Sequence, residues 1–286
     1  MIEMITVIII TAIIAASVAV FLQVPVKSYQ DSQRRAQIAD AADTAFRRLI
    51  RDLQTALPNS VRLTNVGGVF YLEFLQTRTG GRYRAAHASP AETAVCPTAG
   101  TGDGDVMRFG AADTCFRSLG AIPDPEPPAT TIVPGTDYVV IYNLGPGFTN
   151  ANAYATGAAN GGNKSRITAF STATNNENQI TFGSNTFTLD SPGHRFQVVS
   201  GPITYACNPT AGTLIRYSGY AIAAAQPTPP GGTAARIAQG LTTCTITYDQ
   251  NTNQRTGIVS IWLGFAAAGG AGAINLFTQA QVSNVP

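Results

Sequence analysis

Charge is what this sequence has least of. Lys and Arg number 18 and Asp and Glu 16 in 286 residues, or 12%, about half the usual share. The formal net charge of +2 provides no strongly basic face, so nucleic acid is not an expected partner. Histidine is nearly missing too. His87 and His194 stand in unrelated, loop-like contexts, and neither HExxH nor a G-x-S-x-G elbow is present. No nucleophile, base and orienting group come together, so the chain reads as non-enzymatic. Lys164, in NKS, lies in a Gly/Asn-rich stretch without a GxxxxGK[ST] phosphate cradle. Asp103 and Asp105, in TGDGD, alternate as in a calcium loop but lack its further ligands and terminal Glu, which leaves a solvated turn. Neither a cofactor nor a metal is expected.

Cysteine is sparse and dispersed: Cys96, Cys115, Cys207 and Cys244, with no CxxC pair. Structural zinc usually takes ligands in close pairs, so disulfides in an oxidising compartment are the better reading. Three pairings are possible. Cys96 with Cys115 and Cys207 with Cys244 close the shorter loops and are the expected pairs.

What is abundant is apolar and concentrated at the start, MIEMITVIIITAIIAASVAVFLQVP. From Met4 to Leu22 no residue is charged, and a helix over that run spans roughly 28 Å, enough for a hydrocarbon core. A cleaved secretory signal would begin with basic residues; here Glu3 stands in their place. A carboxylate at the head of such a run is paired, protonated or functional, or else it caps the helix N-terminus, where negative charge suits the macrodipole. Past Pro25, which predicts a kink, Ile38, Ala42, Ala45, Phe46, Leu49, Ile50, Leu53 and Leu57 recur at helical spacing. Asp31 and Asp43 stand four residues before Arg35 and Arg47, and Pro58 is the expected stop.

Beyond residue 60 the period changes to two. VRLTNVGGVFYLEFLQ reads as strand, glycine turn and strand, and DYVVIYNLG, QITFGSNTFTLDS, RFQVVSGPITYAC, GTLIRYSGYAI, TCTITYDQ and RTGIVSIWLGF continue the pattern. Trp262 and the later tyrosines are read as core or cross-strand pairs. The expected fold class is α+β: a long N-terminal helix, half transmembrane and half amphipathic, packed on a β-rich head with antiparallel sheet and long loops. Its parts are residues 1–25 (transmembrane or filament-core segment), 26–57 (amphipathic half) and 58–286 (head).

That plan, with Met1-Ile2-Glu3 opening the apolar run, resembles the type IV pilin and type II secretion pseudopilin superfamily, whose mature chains begin Phe-Thr-Leu-Ile-Glu. FRRLIRDLQTALPNSVRL, SPGHRFQVVSGPITYAC with GTLIRYSGYAI, and INLFTQAQVSNVP are similar to the minor pilin-like proteins of the MSHA pilus system, the MshO type. If Phe and Thr stand upstream of Met1, Glu3 falls at the fifth mature position, where the family's glutamate meets the N-terminal amine of a neighbouring subunit. The resemblance implies a minor pilin that helps assemble or prime a pilus, positioned at its tip. Its implied partners are other major and minor pilin subunits, a prepilin peptidase, and the inner membrane before assembly. The implied location is a single-pass inner-membrane protein with a periplasmic head, then the cell-surface pilus. Lys27, Arg34 and Arg35 follow the apolar run and by charge alone would argue for a cytoplasmic head; the disulfides argue for export. The alternatives are a membrane-anchored adhesin or binding module, for which the helix is only an anchor, and a type II secretion pseudopilin.

Overall fold

The computed structural model describes residues 2–86, 106–122, 132–155, 162–172, 177–253, 255–266 and 273–286. Among the described residues one helix, α1 (Ile2–Gln54), precedes twelve strands. These are β1 (Arg62–Val66), β2 (Val69–Arg82), β3 (Asp113–Arg117), β4 (Tyr138–Ile141), β5 (Lys164–Thr172), β6 (Asn178–Asn185), β7 (Arg195–Asn208), β8 (Thr213–Ser218), β9 (Thr233–Gln239), β10 (Leu241–Asn253), β11 (Thr256–Ala266) and β12 (Ala273–Ser283).

The strands form two antiparallel sheets. The larger has nine strands and forks at β7, which pairs with β2 along one edge and with both β4 and β8 along the other. One branch continues through β5 and β6 to β3, the other through β8 to β9. The smaller sheet is the meander β10-β11-β12. The turn between β1 and β2 is Gly67-Gly68, both at positive φ (59° and 84°), the backbone that a two-residue hairpin loop with right-handed twist demands.

The helical period of residues 38–57 is realised in the main core. Ala42, Ala45, Phe46, Leu49 and Leu53 are buried against Leu72 and Phe74 of β2, Tyr205 of β7, and Ile246, Ile261 and Leu263 of the meander. A second core of Phe116, Phe182, Phe187, Phe196 and neighbours fills the β3–β6 branch. Between the two, Leu57, Leu75, Val140, Tyr154 and Val199 form a smaller cluster.

The expected plan is corrected on two counts. First, the fold is predominantly sheet, with only the C-terminal part of α1 wedged against both sheets, rather than a half-transmembrane, half-amphipathic helix packed on a β-rich head. Residues 2–30 are exposed wherever their side chains are described, and burial begins in earnest only at Ala42. Second, among the described residues no helix is long and apolar enough to cross a membrane. The transmembrane half and the single-pass inner-membrane location are therefore set aside.

Smaller differences have local causes. The helix stops at Gln54, before Pro58, because β2 captures the chain: Leu57 N–H donates to Leu75 O (2.8 Å), and Thr77 N–H donates to Thr55 O (2.8 Å). Asp43 pairs with Arg47 at 2.7 Å as expected, and Asp31 also reaches Arg34, at 3.7 Å. Lys164 begins β5 instead of lying in a loop.

Candidate functional site: the N-terminal face of α1

The first turns of α1 are apolar on every side. Ile2, Met4, Ile5, Ile8 and Ile13 are 79%, 74%, 57%, 63% and 64% exposed, and Phe21 is 78% exposed. The run's only polar side chains do not break this surface. Thr6 Oγ1 donates to Glu3 O (2.9 Å), Thr11 Oγ1 to Val7 O (2.8 Å) and Ser17 Oγ to Ile14 O (2.8 Å). Each hydroxyl spends its donor on its own helix, a habit of Ser and Thr in helices, and shows neighbours mainly carbon.

A helix that is hydrophobic all round belongs in an interior, and an exposed patch of this extent marks an association site. Glu3 is the acidic residue of the first turn and is exposed in the isolated chain. Covering the helix with other apolar helices would bury that carboxylate, which is tolerable only beside a cation or hydrogen-bond donors. The helix runs through Pro25 without interruption.

The head end of α1 is fixed by charge as well as packing. Asp52 Oδ2 accepts from Tyr205 Oη (2.7 Å) and Arg216 Nε (2.6 Å), tying the helix to β7 and β8. On the opposite face of β2, Arg62 donates to Glu73 Oε1 from Nε (3.0 Å) and Nη2 (2.6 Å) and to the Ala223 and Ala224 carbonyls. Its guanidinium lies 3.7 Å over the Tyr154 ring. Burial pushes the Glu73 carboxyl above its ordinary range, with the Arg62 charge acting against that shift. Sequence reasoning missed this pair, although the signal was present: a two-residue turn at Gly67-Gly68 pairs Val66 with Val69 and therefore Arg62 with Glu73.

Of the expected disulfides, Cys207–Cys244 joins β7 to β10 across a Cα–Cα distance of 6.4 Å. Cys115, in β3, is also disulfide-bonded; Cys96 lies outside the described residues. So do His87, Asp103 and Asp105, and among the described residues no metal-holding cluster of His, Cys, Asp or Glu occurs. His194 sits in a turn, its Nδ1 3.4 Å from Asp190, which also accepts from Tyr83 Oη. With Tyr83 N–H donating to His194 O, the group locks the turn before β7 to the end of β2.

Lys164 yields a pH prediction. Its Nζ donates to the carbonyls of Ala153 (2.5 Å) and Ala155 (2.6 Å), and burial lowers its pKa from 10.5 to about 8. The unfolded chain holds this proton to higher pH than the folded one, so the residue's contribution to stability rises from pH 8 toward 10.5. Tyr83, Tyr205 and Tyr220 are pushed above their ordinary value of 10, chiefly by burial, so their contributions fall once pH passes 10. Urea midpoints measured from pH 7 to 11 should therefore climb and then drop, and Lys164→Met should flatten the climb alone.

The chain matches no protein-family model, no curated protein and no solved structure.

Proposed function

We propose that the chain is a filament subunit of the type IV pilin kind, a minor pilin-like protein that enters or primes an MSHA-type pilus by packing the first turns of α1 among the helices of other subunits. The observation that carries this reading is the all-round exposed apolar surface of α1 with one carboxylate at its head. Apolar area supplies affinity, and Glu3 selects the register in which a neighbour offers a cation. A wrong register leaves a buried charge uncompensated, at a cost of several kcal/mol. The subunit acts by assembly and carries out no catalysis.

The test is incorporation into pili by a pilus-assembling cell, scored by immunogold labelling. Ile8→Asp places a second charge in the apolar surface and is expected to abolish labelling. Glu3→Ala should lower it more than tenfold, because affinity without register gives misaligned contacts. Neither residue touches the buried cores, so heat and urea unfolding of both variants should match the parent chain. Wild-type labelling of both variants would refute the proposal. A binding module is the second reading, favoured by an exposed aromatic pair on the smaller sheet.

A further inference from the structure

The meander β10-β11-β12 has one buried and one open face, and strand alternation decides which residues show. Cys244, Ile246, Val259, Ile261 and Leu263 point into the core. On the other face the register sets Thr245 opposite Trp262 and Trp262 opposite Phe277, with Thr243, Gly264 and Asn275 forming the next row. Trp262 and Phe277 are 44% and 51% exposed although their rings stack, with centroids 4.5 Å apart and planes 32° from parallel. Thr243, Thr245, Thr247 and Asn275 are exposed around them. The row beside the rings has no side chain at its centre. A β-carbon on Gly264 would collide with Thr243 Oγ1 and lie 2.7 Å from Asn275 Oδ1, so these two oxygens close over a bare glycine. The result is a groove of about 620 Å³ with an aromatic wall and hydroxyl and amide groups on its other sides.

We propose that this groove binds a neutral carbohydrate, with a pyranose ring laid against Trp262 and Phe277 and its hydroxyls bonded to Thr243, Thr245 and Asn275. A sugar ring with equatorial hydroxyls is apolar on its faces and polar around its edge, which is the pattern the groove presents. Charge selects among the ligands that stack on aromatic rings. Among the described residues no ionisable side chain lines the groove, whereas a single-stranded nucleic acid needs a basic track beside its stacking platform and a stacked cation gains from nearby acids. Size selects against a protein partner. Two rings amid threonines and amides offer far less apolar area than the core of a stable interface, which buries about 800 Å² on each side. The groove's volume lies in the small-ligand range of about 300–1,000 Å³. The site is independent of the helix-packing function proposed for α1.

Trp262 is the chain's single tryptophan, so its fluorescence reports on this groove alone. The full chain, held in lauryldimethylamine N-oxide because glycosidic detergents would compete, is titrated with cellohexaose, xylohexaose and chitohexaose. At least one should shift Trp262 emission saturably. Asn275→Ala should weaken that binding about fivefold, the loss of one hydrogen bond, and Phe277→Ala about tenfold, with the urea midpoint unchanged for the exposed Asn275 and slightly lowered for Phe277, whose ring pairs with Trp262. No shift with any of the three at about 10 mM overturns the proposal, as does a shift that survives both substitutions. An emission change that follows protein concentration without sugar identifies a second copy as the occupant and also overturns it. Glu3→Ala and Ile8→Asp should leave the titration untouched, which separates failure of this site from failure of filament entry.

Discussion

Glu73→Ala is expected to lower folding stability by about 3–5 kcal/mol, the cost of removing one member of a buried ion pair. Glu73 is 1% exposed and the Arg62 side chain 14% exposed. After truncation the guanidinium keeps the Ala223 and Ala224 carbonyls and the Tyr154 face but loses its anion. The cost is that of an uncompensated charge, so it should vanish when the charge itself is removed. Arg62→Met with Glu73→Leu should recover most of the loss, since a well-packed apolar pair often replaces a buried ionic one at little or no cost. Glu73→Gln keeps the shape and adds a pH signature. Burial raises the folded-state pKa above the unfolded value of 4.5, so the folded chain takes up the proton first as pH falls. Glu73's contribution to stability therefore rises as pH drops through its folded pKa toward 4.5 and is level below it. The stability of the parent chain relative to Glu73→Gln should therefore rise over that window. Urea unfolding of the four proteins at pH 7 and pH 5 checks each point.

The second large effect concerns the staple between the sheets. Cys207 and Cys244 close a loop of 37 residues, for which the chain-entropy relation gives about 4 kcal/mol of stabilisation. The Cys207→Ala, Cys244→Ala double variant should lose that amount, read from urea unfolding without reductant. The loss should be uneven. The staple ties β10 to β7, while β8 and β9 belong to the enclosed loop, so amide protection should fall first across β10–β12 and last in the β3–β6 core.

The amphipathic part of α1 was readable because its partners repeat every three to four residues, and each expected core position from Ala42 to Leu53 meets a buried surface except Ile50, which is partly covered. Strands with alternating large residues were equally plain. The strands that escaped notice lack that contrast. β9 is TAARIAQ, with Ile237 and Ala238 as its main inward contacts, and β12 alternates strictly but has a threonine and an alanine among its inward residues and Phe277 on its open face. What makes them strands is hydrogen bonding to β8 and β11, a nonlocal cause that composition does not carry. The apolar head of α1 was legible as helix, but its reading as a membrane span is overturned, since among the described residues no helix is long and apolar enough to cross. The Trp262–Phe277 pairing fits the expected cross-strand contact, yet its exposure depends on which face of β11 meets α1, and alternation with Ile261 and Leu263 decides that.

The junction between α1 and the sheets also has a mechanical meaning. Asp52 is bonded to both Tyr205 on β7 and Arg216 on β8, and just beyond it Thr55 and Leu57 are bonded to β2 at Thr77 and Leu75. Tension applied along the helix is thereby divided among three hydrogen-bonded strands. The helix should tear free only at forces that disrupt the large sheet itself, so a pull on the first residue is felt throughout the folded body.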